Sequence, residues 1–151
     1  MGSARRHFLQ TYIYSYPLGY TVPIKNALAF LERKLVVLFK KSARAVAPLE
    51  AKELLDQGTV MIDVRELSEW NHGHAPGAVH LPISKIQEQL HKIPKDGNIV
   101  VCCRSGSRSS AAVSFLLSHG YNAINMKGGM AAWHAHGLPV VNSSGIRGSI
   151  I

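Results

Sequence analysis

The stretch NIVVCCRSGSRSSAAVSFLLSHG, residues 98–120, joins a continuous apolar run to an amphipathic run through a short polar loop. Residues 98–103 are rich in β-branched and apolar side chains, which predicts a strand buried on both faces of a parallel sheet. Residues 108–120 predict a helix that ends at Gly120. A strand followed by a short loop and a helix is half of a β-α-β unit, so the stretch predicts an α/β fold.

The segments on either side of this stretch continue the alternation of strands and helices. Pro48 and Gly58 bracket one predicted helix, and Ser84 is the candidate N-cap of another. The remaining predicted elements are, in chain order, strand 59–64, strand 78–82, helix 84–93, strand 122–126 and helix 128–137. We therefore expect one α/β domain over residues 48–141, followed by a tail, residues 142–151, that ends frayed.

The composition is that of an ordinary soluble globular protein, with 46% hydrophobic and 17% charged residues in a chain of 151. The net charge of +8 comes almost entirely from residues 1–47, which hold eight Lys or Arg side chains and one acidic side chain. Residues 48–151 hold nine basic and eight acidic side chains. We therefore expect no nucleic-acid-binding face on the domain itself.

The basic N-terminal extension, residues 1–47, contains one segment with helical periodicity. Residues 1–24 show no clear period, whereas residues 25–41 predict an amphipathic helix with basic flanks. This helix is too short and too charged to span a membrane, and the extension lacks the pattern of a secretory signal. Three interpretations stay open: a helix that packs on the domain or binds a partner protein, a helix that lies on an anionic membrane, and a targeting presequence.

The two cysteines of the chain, Cys102 and Cys103, are adjacent. A disulfide between neighbours is strained, so we predict reduced thiols in a reducing compartment and hence a cytoplasmic protein. Strand alternation sends the two side chains to opposite faces, with Cys103 at the strand end beside the loop. Counted to Arg108, Cys102 opens a C-x5-R loop of the cysteine-phosphatase kind, and Cys103 opens a loop one residue shorter.

The loop after the strand, residues 103–109, has the composition of an anion-binding site and is called the cysteine loop below. Ligands of open α/β sheets bind beyond the carboxyl ends of the strands, where this loop lies. Inward backbone N–H groups, the start of the next helix, two arginines and three hydroxyl groups all favour a thiolate at Cys103. An inert buried cysteine is the alternative, and it suits Cys102 better. We predict Cys103 as the nucleophile and the rest of the loop as the substrate-binding residues: Arg104, Ser105, Gly106, Ser107, Arg108 and Ser109.

Three separated stretches resemble the signatures of the rhodanese (sulfurtransferase) domain family. They are IDVRELSEWNHGHAPGAVHLP (62–82), VVCCRSGSRSSAAV (100–113) and MKGGMAAWHAHGLPV (126–140), in the order and spacing of the family. The family's Cys-Arg-Ser-Gly-x-Arg-Ser lies directly on the cysteine loop. The family often has tyrosine where this chain has Cys102, which leaves that residue as a structural or a resolving thiol.

The resemblance implies a single α/β domain with a five-stranded, mostly parallel sheet flanked by helices on both faces. It also implies transfer of a sulfane sulfur from thiosulfate or a persulfide donor to a thiol or cyanide acceptor, through a persulfide on Cys103. No metal or organic cofactor is implied. Asp63 and Arg65 are expected to be a structural pair that orders the loop beside the site.

Two other functions stay open on the residues alone. One is a cysteine phosphatase or arsenate reductase that uses the same loop, and the preferred anion separates it from a sulfurtransferase. The other is a non-catalytic binding module whose helix over 25–41 contacts a membrane or a protein, although the intact cysteine loop argues against it. The clustered histidines His72, His74 and His80 lack a metal-binding spacing, so we predict structural roles for them. The sequence predicts no oligomeric state.

Overall fold

The structure, a computed structural model, describes residues 13–15, 21–23 and 44–151. The chain divides into two compact units, residues 1–40 and 41–151. In the first unit, β1 (Ile13–Ser15) pairs antiparallel with β2 (Thr21–Pro23), a strand pair that the sequence does not predict. The helix predicted over 25–41 lies outside the described residues.

The second unit is an α/β domain, as the sequence predicts. Its strands and helices are, in chain order, β3 (Ala45–Val46), α1 (Pro48–Asp56), β4 (Val60–Asp63), α2 (Leu67–His72), β5 (Val79–His80), β6 (Asn98–Cys102), α3 (Ser107–Ser118), β7 (Asn122–Met126) and α4 (Gly129–Ala135). The five strands form one sheet in the order β3-β7-β6-β4-β5, and every neighbouring pair is parallel. This confirms the five-stranded parallel sheet and places β6 at its centre.

Helices cover both faces of the sheet and bury a core on each. Along β6, Ile99 and Val101 face a core completed by α3, whereas Val100 and Cys102 face a core completed by α1 and α4. These four side chains are fully buried, which explains why the sequence of β6 is apolar without alternation. Burial of each aliphatic side chain contributes about 1.5–3 kcal/mol to the free energy of unfolding. The central strand is therefore packed on both faces, and this packing fixes the position at which the following loop begins.

The prediction of a helix over residues 84–93 is wrong. The structure has two 3-10 turns there, Ile83–Lys85 and Leu90–Lys92, joined by further turns. Ile86 and Ile93 are each 5% exposed, so this segment buries apolar side chains against the α3 face without a regular helix. Tertiary packing overrides the local helical propensity of these residues.

The C-terminal segment, residues 137–151, is not frayed, contrary to the expectation for its last ten residues. The Gly148 N–H donates to the Val140 carbonyl and the Ser149 N–H donates to the His72 carbonyl, both at 2.9 Å. Ile150 packs against the core on the α1 and α4 face. Backbone pairing of this kind leaves no period in the sequence, which is why the prediction missed it.

Candidate active site

The cysteine loop begins where β6 ends, at the centre of the carboxyl edge of the sheet. Cys103 is 1% exposed, and its sulfur accepts a hydrogen bond from the Gly106 N–H at 3.1 Å. Gly106 precedes α3 with φ +96°, a backbone conformation that favours glycine. A Cβ at this position would also lie 3.2 Å from the Gly128 nitrogen. The loop therefore curls around the Cys103 sulfur as the sequence predicts, and the curl depends on a glycine.

The Cys103 thiol ionises more readily than an ordinary cysteine. Burial of the sulfur works against ionisation, but hydrogen bonds outweigh it and lower the pKa of the Cys103 thiol below its usual range. Among these hydrogen bonds, the one from the Ser109 hydroxyl, whose oxygen lies 3.4 Å from the sulfur, lowers the pKa of Cys103 most. Backbone N–H groups of Ser109, Gly106 and Ser105 add to it. The sulfur is thus held mainly by dipoles of the loop.

Asn125, on the neighbouring strand β7, supports this arrangement. Its amide N–H donates to the Gly106 carbonyl at 3.2 Å, which turns its amide oxygen toward the Ser109 hydroxyl at 2.7 Å. The single proton of Ser109 therefore has two acceptors, the Asn125 oxygen and the Cys103 sulfur. Asn125 is not among the site residues predicted from the sequence. The available signal was a polar side chain in the interior of the strand 122–126, whose first residue, Asn122, is also polar.

Arg108 lies in the first turn of α3 and forms a bidentate ion pair with Glu69 of α2, with nitrogen–oxygen distances of 2.6 and 2.7 Å. The hydrogen bonds from Arg108 hold the pKa of the Glu69 carboxyl below its usual range, and Glu69 in turn raises the pKa of Arg108. Glu69 also accepts the Glu66 N–H, which completes a capping box at the start of α2. The sequence predicts Arg108 as a site residue but misses this partner. The pair fixes α2 to the cysteine loop.

The start of α4 holds the cysteine loop through backbone hydrogen bonds. The Met130 N–H donates to the Cys103 carbonyl at 2.7 Å, and the Ala131 N–H donates to the Arg104 carbonyl at 3.0 Å. Gly129 has φ +56°, and a Cβ there would lie 2.3 Å from the Cys103 carbonyl oxygen. Gly129 lies in the stretch 126–140 that resembles a rhodanese signature, and its function in the fold is this close approach.

The remaining loop residues differ in their exposure. Arg104, Ser105 and Ser107 are exposed, whereas Ser109 is fully buried. Ser107 is the first residue of α3. The exposed residues therefore form the outer surface of the loop.

Asp63 and Arg65 form a buried ion pair at the end of β4, and both are fully buried. The Arg65 guanidinium donates to Asp63 at 2.6 Å and to the Gly73 carbonyl at 2.6 Å. The pair thus ties the end of β4 to the end of α2. Removing one partner of such a pair leaves a buried charge and costs about 3–5 kcal/mol.

Cys102 does not face the cysteine loop. It is fully buried on the α1 and α4 face beside Val100 and Trp133, and burial raises the pKa of its thiol well above the usual range. The sulfur at the loop therefore belongs to Cys103. A C-x5-R loop counted from Cys102 would have no sulfur on its inner side.

The clustered histidines contact aromatic and backbone groups. The His74 ring stacks on Trp70 at a centroid distance of 3.5 Å, and its Nδ1 lies 3.0 Å from the Trp70 carbonyl. The His80 ring stacks on the same indole, and its Nε2 lies 2.9 Å from the Arg65 carbonyl. Within the part of the chain that the structure describes, no group of His, Cys, Asp and Glu side chains is arranged to hold a metal ion. In that part, no helix has the length and apolar character needed to cross a membrane.

Comparisons with known proteins agree with this geometry. A family model described as the rhodanese-like domain matches residues 47–136. A sulfurtransferase from Allochromatium vinosum is 39% identical over 90 residues, which are 59% of this chain and 84% of the relative. A thiosulfate sulfurtransferase from Pseudomonas savastanoi pv. phaseolicola is 31% identical over 93 residues, which are 61% and 88% of the two chains. The crystal structure of a rhodanese-related protein from Thermoplasma volcanium matches with a TM-score of 0.62 at 33% identity, and covers 65% of this chain and 97% of that one.

Proposed function

The chain belongs to the rhodanese-like domain family, and on that premise we propose that it is a sulfurtransferase that carries sulfane sulfur as a persulfide on Cys103. The observation that carries the proposal is the Cys103 sulfur, held by the Gly106 N–H and the Ser109 hydroxyl with a lowered pKa. A thiolate is the nucleophile that such a transfer requires. The names of the relatives from Allochromatium vinosum and Pseudomonas savastanoi support the same class of reaction.

In the first half of the proposed reaction, the Cys103 thiolate attacks the outer sulfur of thiosulfate. A bond forms between the two sulfurs, the sulfur–sulfur bond of thiosulfate breaks, and sulfite leaves with the bonding electron pair. Loop N–H groups and the Ser109 hydroxyl stabilise the negative persulfide, since they already point at the Cys103 sulfur. Arg104, which is exposed at the rim, attracts the anionic donor. Arg108 takes a positioning role through Glu69.

In the second half, an acceptor thiolate or cyanide attacks the outer sulfur of the persulfide. The bond from the Cys103 sulfur breaks, and Cys103 leaves as the thiolate that began the cycle. The low pKa of Cys103 favours this departure, because a stable thiolate is a good leaving group. The cycle balances without a metal, an organic cofactor or an external oxidant. Because the cycle needs a reduced cysteine, it supports a location in the cytoplasm, which keeps thiols reduced. A contact of residues 25–41 with a membrane or a protein stays a prediction.

Formation of thiocyanate from thiosulfate and cyanide tests the proposal. We expect turnover by the wild-type protein and by Cys102→Ala, and none by Cys103→Ser, which keeps the shape of the loop but lacks the sulfur. A phosphate ester and arsenate are offered as alternative substrates. We expect no reaction with either, because the loop from Cys103 to Arg108 is one residue shorter than the phosphatase loop. Hydrolysis of the ester without formation of thiocyanate would overturn the proposal in favour of a phosphatase.

A further inference from the structure

An open groove lies beside the cysteine loop, and Arg104 is the only one of its lining residues that the reaction proposed above uses. Its volume is about 330 Å³. One residue of the loop, three positions of α4 and one residue of the C-terminal segment line it: Arg104, Ala131, His134, Ala135 and Ile150. We call it the Arg104 groove.

The Arg104 groove and the cysteine loop share Arg104. The first turn of α4 binds the cysteine loop directly, since the N–H groups of Met130 and Ala131 donate to the carbonyls of Cys103 and Arg104. Cys103 is 1% exposed, whereas Arg104 and Ser105 are exposed. Cys103 itself does not line the groove, so a molecule in the groove reaches the sulfur only past Arg104, the residue that the loop and the groove share.

The groove has a polar side and an apolar side. Arg104 has no carboxylate partner among the described residues, in contrast to Arg108, which binds Glu69. Ala131 and Ala135 are one helical turn apart on α4 and present methyl groups along one face. Within the described residues, the groove therefore offers an anion a guanidinium that no carboxylate pairs, and it offers an aliphatic body the methyl groups of Ala131 and Ala135 beside the His134 ring.

The far wall of the groove comes from the C-terminal segment, which lies beyond the residues 47–136 that the family model matches. Ile150 is half-buried there and packs against the core. Its position is set by the backbone bonds of Gly148 and Ser149 to Val140 and His72. Ile150 is thus the one lining residue that comes from a part of this chain beyond the matched domain.

Resting on the proposed sulfurtransferase function, we propose that the Arg104 groove is the binding site for the acceptor, and that it selects thiols that carry a carboxylate on a short aliphatic chain. The carboxylate pairs with Arg104, and the aliphatic chain lies against Ala131, Ala135 and Ile150. The acceptor thiolate attacks the outer sulfur of the Cys103 persulfide. A new sulfur–sulfur bond forms on the acceptor, the bond to Cys103 breaks, and Cys103 retains that electron pair as a thiolate.

Two matched series of acceptors test the proposal. The full-length protein is loaded with thiosulfate and freed of excess donor. Loss of the persulfide is then followed against the concentration of ω-mercaptoalkanoates and of ω-mercaptoalcohols of equal length. We expect KM to fall by about two- to fourfold for each added methylene, the upper figure being full burial of the group. The trend should stop once the chain outgrows the roughly 6 Å that separate positions 131 and 135. At each length the carboxylate should have a KM about threefold below that of the alcohol, as expected for an exposed ion pair.

Four variants assign these effects to the groove. Ile150→Ala should flatten the dependence on chain length, and its rate of loading by thiosulfate, measured first, gives the amount of persulfide available for the comparison. Arg104→Gln should abolish the preference for the carboxylate. Ile146→Ala and Arg147→Gln are matched controls, since both residues are exposed in the same segment and neither lines the groove. Both controls should keep both trends.

The outcomes separate this proposal from the function on which it rests. A persulfide that forms, and that then reacts with all chain lengths at one KM, would overturn the groove assignment and leave the sulfurtransferase intact. The same holds if Ile150→Ala retains the full length dependence. Failure of thiosulfate to load Cys103 is seen before any acceptor is added, and it would overturn both.

Discussion

The sulfur of Cys103 accepts hydrogen bonds from the Gly106 N–H and the Ser109 hydroxyl, while the nearby guanidinium of Arg108 binds Glu69. The thiolate is therefore stabilised mainly by fixed dipoles and less by an unpaired charge. Hydrogen bonds to an ionised group are stronger than neutral ones, and short-range bonds of this kind are screened little by salt. Burial of the sulfur raises the pKa of Cys103, and among the groups that lower this pKa the Ser109 hydroxyl contributes most, although Asn125 competes for its proton.

Ser109→Ala should raise the pKa of Cys103 and shift the midpoint of its alkylation profile by about one pH unit, because the thiolate loses a hydrogen bond. The folded protein has a lowered pKa at Cys103, so the thiolate is present above that pKa and disappears as the pH falls through it. The rate of reaction with iodoacetamide, measured against pH, reports this midpoint. Cys102 should not react with iodoacetamide in this experiment, because its thiol is buried and its pKa is raised.

Ser110→Ala is the matched control for this prediction. Ser110 is the next residue of α3, is exposed, and does not contact the sulfur. Its variant should keep the wild-type midpoint. A midpoint that moves equally in both variants would contradict the role assigned to the Ser109 hydroxyl.

At the scale of elements, the start of α4 positions the cysteine loop. Gly129 permits a backbone approach that a side chain would block, since a Cβ there would lie 2.3 Å from the Cys103 oxygen. Met130 and Ala131 donate hydrogen bonds to the loop at the same place. The turn that precedes α4 is therefore part of the site, although none of its side chains touches the sulfur.

Gly129→Ala should lower the rate of persulfide loading by at least about tenfold, because displacing loop donors by even a small distance weakens stabilisation of the developing charge. Gly137→Ala is the control: Gly137 has a similar positive φ of +70°, but a Cβ at that position would meet no atom within 4 Å. Both variants should lose about 1–2 kcal/mol of unfolding free energy from the strained φ. Stopped-flow loading and thermal melts separate the two effects, and equal loading rates would contradict the positioning role.

Elements that are formed by interactions between residues close in the sequence could be predicted, whereas contacts between residues far apart in the sequence could not. The strand, loop and helix around Cys103 were predictable because period and loop composition are local properties. Glu69 and Asn125 join the site from other elements, across 39 and 16 residues of chain, and no spacing in the sequence shows such a contact. The helix predicted over 84–93 failed for the same reason, because core packing of Ile86 and Ile93 decided its backbone.

At the scale of the whole domain, the C-terminal segment, residues 137–151, packs against the α/β domain. Its backbone pairs with Val140 and His72, and Ile150 packs on the core. This closure lies beyond the matched family residues and supplies one wall of the Arg104 groove. Stability and acceptor choice are thus linked through the same segment.

Ile150→Ser should lower the free energy of unfolding by about 1–2 kcal/mol, because a half-buried apolar side chain is replaced by a polar one. Ile146→Ser in the same segment should cost less than about 0.5 kcal/mol, since Ile146 is 65% exposed. Urea denaturation of the two variants gives both values. Equal destabilisation would show that Ile150 does not hold the segment to the core.

The most direct test of the central claim is the intact mass of the protein after brief exposure to thiosulfate, for the wild type, Cys103→Ser and Cys102→Ala. We expect a gain of one sulfur atom in the wild type and in Cys102→Ala, and no gain in Cys103→Ser, since only Cys103 lies in the cysteine loop. A sulfur gained by Cys103→Ser, or by none of the three proteins, would contradict the assignment of Cys103 as the sulfur carrier.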